Sequence, residues 1–220
     1  SLDTPVAVHA ETGPAVAKIQ TKCREAGRNS VQDFLRAHAP RFELDAVQTI
    51  TDLARRAHSK VHVCHLSTRR SLREISAARK KGVEITCEVT PHHLLLDTTD
   101  LNRKGGSALM VPPLRRESDT RALWRAMLRA EIDIVASDHA PHSPDEKSGK
   151  DVWAVRPGLP GLETTLPLLL TKVHRGELTL ARLVQLLAEK PARIFGLQGK
   201  GHLQARMDGD LLRVRSESHT

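Results

Sequence analysis

Short apolar runs alternate with amphipathic segments along this chain, and the pattern predicts an α/β fold. The predicted strands are the apolar runs at 6–8, 61–65, 83–89 and 132–136. Between these runs, apolar positions recur at helical spacing over 44–57, and Leu72, Ile75 and Ala78 share one face of a further helix. Strands that alternate with helices are typical of a parallel sheet.

The second half of the chain shows the same alternation. We predict helices around Leu123 and over 162–173 and 180–187. A long segment with Pro and Gly residues at 143–160 predicts a loop of the kind that often covers a binding site. A polar, irregular segment follows residue 199, except at 211–214, where we predict a terminal strand.

Polar residues stand where each predicted strand ends. These are His9, His65, residues 90–93 and Asp138. In α/β barrels the carboxyl ends of the strands meet on one face and carry the active site. Because imidazole nitrogen and carboxylate oxygen suit Zn²⁺, His9, His65 and Asp138 form a candidate metal set. A strand-end histidine is also often structural, so the spacing alone leaves both interpretations open.

Composition and charge exclude several classes of protein. The formal net charge of the 220 residues is +8, but the chain has no Tyr, three Phe and two Trp. A platform for stacking bases is therefore improbable, and we predict no nucleic-acid partner. No apolar run approaches the ~18 residues of a membrane span. Three cysteines without a CxxC pair favour reduced thiols, so we predict a cytoplasmic protein.

Seven segments, in matching order, resemble dihydroorotases, which are cyclic amidohydrolases of the amidohydrolase superfamily. They are VHAE at 8–11, HVCHLST at 62–68, EVTPHHL at 88–94, PPLR at 112–115, SDHAPH at 137–142, GLPGLET at 158–164 and PARIFGL at 191–197. The EVTPHHL and DHAPH strings favour dihydroorotase over its relatives allantoinase and hydantoinase, which remain the alternative.

The resemblance implies a fold and a reaction. Dihydroorotases have a (β/α)₈ TIM barrel, and this chain would supply about its last four βα units and a short C-terminal strand. Residues 1–197 would form the half barrel, and 198–220 a tail toward a small β domain. The implied reaction is the zinc-dependent, reversible conversion of dihydroorotate to N-carbamoyl-aspartate in pyrimidine biosynthesis, so the implied partner is this small-molecule substrate.

The resemblance also implies roles for individual residues. His9 and His65 would bind one zinc ion of a two-metal centre, while Asp138 would bind the other and act as general base. The residues implied to contact substrate are His142, through the substrate carboxylate, and Pro157 and Gly158, through their backbone. Val111 stands where dihydroorotases usually have Asn, and it offers no side-chain hydrogen bond.

Two parts of the family's metal centre are missing. The sequence contains neither the H-x-H pair of the first barrel strand nor the bridging Lys or Asp of the fourth. We therefore expect the isolated chain to be inactive and to depend on the other half of a barrel. A non-catalytic scaffold that binds a carbamoyltransferase is the second hypothesis, and a homodimer is a further possible assembly.

Several other polar residues have ordinary structural expectations. We expect His62 to be buried and hydrogen-bonded, His38 to need no function, and Arg115 with Arg116 to form a solvated pair. Glu11, two residues after His9, could orient a metal ligand or belong to a surface loop.

Overall fold

The computed structural model describes residues 4–214, and its centre is a four-stranded parallel sheet. The strands lie in the order of the chain: β1 (Val6–Val8), β2 (Val61–Val63), β3 (Ile85–Val89) and β4 (Ile134–Val135). Sequential parallel strands joined by helices are the arrangement of successive βα units in a barrel. The predicted α/β fold is therefore confirmed; β1 has the predicted bounds, and the other three strands are shorter than their apolar runs.

Helices follow every strand. After β1 come α1 (Gly13–Glu25), α2 (Val31–Ala37) and α3 (Pro40–Ala57), and after β2 comes α4 (Arg69–Lys80). After β3 come α5 (Pro91–Leu95), α6 (Thr98–Lys104), a 3₁₀ turn (Gly105–Ala108) and α7 (Glu117–Leu128). After β4 come α8 (Thr165–His174), α9 (Leu180–Val184), a π-helical segment (Gln185–Glu189) and α10 (Lys190–Ile194).

Local sequence explains where the helices begin. Helix α3 starts at Pro40, four residues before the predicted 44, because proline is favoured in the first helical turn. Thr68 caps α4 by accepting a hydrogen bond from the backbone nitrogen of Ser71. The sequence pattern did not predict helix α1, because only two of its residues, Val16 and Cys23, are buried. Two buried residues are too few to form a clear apolar stripe.

The prediction of a strand at 211–214 is wrong. Residues 211–214 are exposed and have no regular secondary structure. A strand needs a neighbour to take up its backbone hydrogen bonds, and no described strand lies beside this segment. The tail predicted at 198–220 extends beyond the described residues, so its last six residues lie outside them.

Two apolar clusters hold the structure together. The larger one packs the sheet against α3, α4, α7 and α8, with Val63, Ile75, Val89 and Leu123 at its centre. The smaller one gathers Phe34, Leu101, Leu109, Leu114, Val152 and Val155. It attaches the 143–160 loop to α2 and α6, and so places this loop near the strand ends. None of the described helices is both long and apolar enough to span a membrane.

Candidate active site at the strand ends

The carboxyl ends of the four strands place the predicted residues on one edge of the sheet. His9 follows β1, His65 lies two residues after β2, and Asp138 lies three residues after β4. His65 and Asp138 both have left-handed backbones, with φ of +36° and +45°. Such conformations cost of order 1–3 kcal/mol in residues other than Gly and cluster at functional sites. His58, Ala130 and Arg206 also have positive φ, but among these described residues only His65 and Asp138 lie at the carboxyl ends of strands.

The His9 and His65 rings converge. His9 Nδ1 lies 3.0 Å from His65 Nε2, and the ring centroids are 4.7 Å apart at an interplanar angle of 68°. His65 is buried, whereas His9 is open to solvent. Burial, and then the proximity of His9, lower the pKa of His65. His65 is therefore neutral at pH 7, the form in which imidazole binds a metal.

Glu11 lies behind His9. The Oε2 atom of Glu11 is 3.6 Å from His9 Nε2 and 2.9 Å from Nδ1 of His38. Burial raises the pKa of Glu11, but hydrogen bonds to His38 and His9 outweigh it and lower this pKa to about 2. The Glu11 side chain is only 5% exposed, so its orienting role is favoured over a surface role.

His38 makes contacts in this network that the sequence did not indicate. Its Nδ1 donates to Glu11, and Nε2 lies 3.1 Å from Nε2 of Gln20. Because His38 is 27 residues from Glu11 and ends α2, no local pattern could have paired them. His38 thus holds the carboxylate that lies behind His9.

Asp138 lies apart from the histidine pair. No hydrogen bond or ion pair joins its carboxylate to another residue within 4–214, yet its charge acts on His65 in the direction that raises the pKa. Over the same residues, no group of three or more His, Cys, Asp or Glu side chains is arranged to hold a metal. The structure thus pairs His9 with His65 but does not bring Asp138 into a common ligand set with them.

The three residues predicted to contact substrate lie together. His142 Nε2 is 3.2 Å from the Pro157 carbonyl oxygen, and Gly158 follows. Gly158 has φ of +144°, and a Cβ atom there would lie 2.7 Å from the Ala140 carbonyl oxygen. Only glycine fits this close approach of the two loop segments.

Lys147 holds the same loop, a role that no sequence pattern indicated. Its Nζ donates to the carbonyl oxygens of Leu109, Arg156 and Gly158 at 2.8, 3.0 and 2.9 Å. One ammonium group thereby joins both ends of the loop to the segment before Val111. Val111 itself is half-buried against the smaller apolar cluster.

Two further expectations are settled by the contacts. His62 is fully buried and bonded to Thr86 Oγ1 at 2.8 Å and Glu88 Oε2 at 3.1 Å, as predicted. The prediction that Arg115 and Arg116 form a solvated pair is wrong, because Arg115 is only 4% exposed. Arg115 is buried because the acceptors of its hydrogen bonds are buried on distant segments of the chain. A pattern of charges along the sequence cannot reveal such acceptors.

Known proteins resemble this chain over nearly its whole length. The Amidohydrolase family profile matches residues 1–217. An allantoinase of Rubrobacter xylanophilus is 36% identical over 97% of this chain, and a dihydroorotase of Halobacterium salinarum is 39% identical over 97%. These alignments cover 47% and 48% of the two relatives, so the chain spans about half the length of the curated relatives it matches.

Solved structures show the same relationship. A D-hydantoinase (dihydropyrimidinase) from Thermus sp. superposes with a TM-score of 0.89 at 28% identity, covering 94% of this chain and 47% of that one. An L-hydantoinase (dihydropyrimidinase) from Arthrobacter aurescens gives 0.89 at 33% identity, with the same shares of the two chains. The profile, the relatives and the superpositions agree, and this chain belongs to the Amidohydrolase family.

Proposed function

We propose that this chain forms the C-terminal half of the active site of a metal-dependent cyclic amidohydrolase. The observation that carries the proposal is the 3.0 Å approach of His9 Nδ1 to His65 Nε2 at the ends of adjacent parallel strands. Two imidazole nitrogens that converge in this way fit two ligand positions of a zinc ion. Since residues 4–214 contain no complete ligand group, further ligands would come from elsewhere in the active protein.

Glu11 prepares His9 for this role. Its carboxylate faces His9 Nε2 and stabilises the proton on that nitrogen. The lone pair of His9 then stands on Nδ1, the atom that faces His65. A zinc ion bound there would polarise the amide carbonyl of the substrate and activate water.

Asp138 is the proposed general base. Its carboxylate stands at the same edge of the sheet and is not held by another residue within 4–214. It can therefore accept a proton from the attacking water and return it to the amide nitrogen that leaves. In the ring-closing direction the same carboxylate removes the proton from that nitrogen.

The preferred substrate in this proposal is dihydroorotate, with N-carbamoyl-aspartate as product. The 143–160 loop would cover the ring, with backbone groups of Pro157 and Gly158 as hydrogen-bonding partners. His142 stands beside them and would bind the carboxylate of this substrate. Relatives named dihydroorotase at 39 to 43% identity support this choice.

Allantoin is the second candidate substrate. Two relatives named allantoinase are 36% and 38% identical over 97% of this chain. Val111 supports dihydroorotate less well, because dihydroorotases usually have Asn there and Val offers no side-chain hydrogen bond.

The test compares three substrates on the natural protein loaded with zinc. We expect kcat/KM for dihydroorotate to exceed the values for allantoin and dihydrouracil. The variants His9→Ala and His65→Ala should lose bound zinc and reduce kcat/KM by at least about a hundredfold. His174→Ala, at an exposed position on α8, is the matched control and should change neither quantity.

Each other result has a defined meaning. Faster hydrolysis of allantoin would select the second candidate. Zinc content and activity that survive in both variants would contradict the metal site itself. A natural protein that binds no zinc and hydrolyses none of the substrates would select the scaffold hypothesis, which a pull-down of carbamoyltransferase would then support.

A further inference from the structure

A cleft of about 790 Å³ opens where α3, α4 and α7 begin. None of the residues assigned above to metal or substrate lines it. Its basic lining residues are Arg36, Arg41, Arg69, Arg70, Arg115 and Arg116. Asp119 is the one acidic residue among the described residues that line it. The cleft therefore concentrates positive charge to a degree that the scattered basic residues of the sequence did not indicate.

Part of this charge is paired with carboxylates and part of it is not. Arg36 Nη1 lies 3.1 Å from Asp33 Oδ1. Asp119 Oδ1 accepts a hydrogen bond from the Arg69 backbone nitrogen at 3.0 Å and lies 4.0 Å from Arg69 Nε. The side chains of Arg70 and Arg116 make no ion pair or hydrogen bond with any residue in the described part of the chain. Guanidinium groups that share a concave surface repel one another, and a bound anion would relieve that repulsion.

Arg115 adds a buried, fixed charge to the lining of the same cleft. It is 4% exposed, and its Nε and Nη1 donate to Ser67 Oγ at 2.9 Å and to the His38 carbonyl oxygen at 2.6 Å. Its Nη2 has no hydrogen-bond partner among the described residues. This atom has almost no exposed surface, and the charges of Glu11, Glu43 and Asp119 act on Arg115, so Arg115 adds positive charge to the lining without offering a free donor to a ligand.

Backbone groups add to the positive potential. Helices α3 and α7 begin at the cleft with Ala39 and Arg116 as their N-terminal caps, and neither cap makes a side-chain hydrogen bond. The side chains of these caps therefore bind none of the first backbone N–H groups, which in α3 begin at Arg41 because Pro40 has no N–H. Helices of 18 and 12 residues also carry a partial positive charge at this end.

We propose that this cleft binds a small anion with two or more phosphate groups. Guanidinium groups match the oxygen geometry of phosphate, and several of them around one cleft suit a ligand that carries several charges. The volume lies within the range of small-molecule sites. No aromatic side chain lines the cleft within 4–214, so the phosphate chain rather than a stacked base is the recognised part. This proposal does not depend on the proposed reaction.

The test measures binding of inorganic tripolyphosphate to the natural protein by calorimetry in 150 mM NaCl. The double variant Arg70→Gln/Arg116→Gln removes two cleft charges that hold nothing else in the described structure. The control Arg55→Gln/Arg56→Gln removes two exposed charges at the other end of α3. We expect the first variant to weaken binding by roughly tenfold or more, and the control by less than about twofold.

The competing outcomes separate the sources of the anion. Tighter binding of adenosine triphosphate than of tripolyphosphate would identify a nucleotide, and the reverse would identify the phosphate chain alone; both support the site. No binding in 150 mM NaCl would overturn the proposal. The proposal would also be overturned if both double variants weakened tripolyphosphate binding equally, or if both bound a random oligonucleotide equally well. The attraction would then be a general property of the basic surface.

Discussion

At the scale of single residues, Glu11 decides how His9 presents its nitrogens. The Glu11 carboxylate is buried and ionised, with His38 on one side and His9 on the other. A carboxylate behind a ligating imidazole fixes both the ring orientation and the tautomer. The histidine pair is therefore prepared by a group that would itself bind no metal.

The first prediction concerns this carboxylate. Glu11→Gln keeps the shape of the side chain but loses its charge, so His9 Nε2–H is held less firmly. We expect the zinc dissociation constant of the natural protein to rise by about 10- to 100-fold. Competition with a chromophoric chelator measures it, and Glu25→Gln, at an exposed position of α1, serves as the control. An unchanged dissociation constant in Glu11→Gln would show that Glu11 does not position His9.

At the scale of elements, two charged side chains connect segments that lie far apart in the sequence. Lys147 joins the 143–160 loop to Leu109 through three backbone carbonyls. Glu43 of α3 accepts hydrogen bonds from the backbone nitrogens of Ser67 and Thr68, each at 3.0 Å, and from both of their hydroxyl groups. The first connection shapes the proposed substrate loop, and the second holds the start of α4 against α3.

Removal of the Lys147 ammonium should loosen the loop. Lys147→Met keeps much of the aliphatic length but leaves three carbonyl oxygens without their donor, at a cost of about 1–3 kcal/mol in local stability. We expect faster proteolysis within 143–160 and a higher KM with little change in kcat. Lys150→Met, an exposed position in the same loop, should behave as wild type. Equal proteolysis and KM in the two variants would contradict this role.

Removal of the Glu43 carboxylate should destabilise the fold. Glu43→Leu leaves the backbone nitrogens of Ser67 and Thr68 and the Ser67 hydroxyl buried without an acceptor, and it removes a negative charge near the buried Arg115. We expect the free energy of unfolding, measured by urea titration, to fall by about 3–5 kcal/mol. Glu84→Leu replaces an exposed carboxylate and should change it by less than about 0.5 kcal/mol. A similar loss in both variants would refute the connection.

At the scale of the whole molecule, the sheet has an open edge. Within residues 4–214, β1 pairs only with β2, and Val6 on β1 is 51% exposed. Strands of parallel sheets are normally covered on both faces and paired on both sides. An apolar edge of this kind favours association with another strand.

The open edge predicts concentration-dependent self-association of the 220-residue chain. Val6→Lys places a charge at the edge and should reduce the average mass found by light scattering at a given concentration. Val184→Lys changes an apolar side chain of α9 that is 48% exposed, and it should leave the mass unchanged. A mass that does not depend on concentration, or that responds equally to both variants, would exclude association through β1.

The expected site was predictable only in part. The strand ends and their polar residues followed from the apolar runs, because burial fixes where a parallel strand lies. The network of Glu11 with His38, and the buried position of Arg115, depend on contacts over 27 residues or more. The roles of His9, His65 and Asp138 as metal ligands remain predictions that the zinc measurements would test.

The sequence by itself determined the α/β alternation, the polar strand ends and the family, since each depends on local periodicity or on short motifs. Tertiary structure alone decided which polar groups meet. It brought His9 to His65, held the 143–160 loop through Lys147 and gathered six arginines around one cleft. It also left 211–214 without a strand, because a strand needs a partner that local sequence cannot supply. Side chains far apart in the chain interact only after packing fixes their distances, and that information is not local.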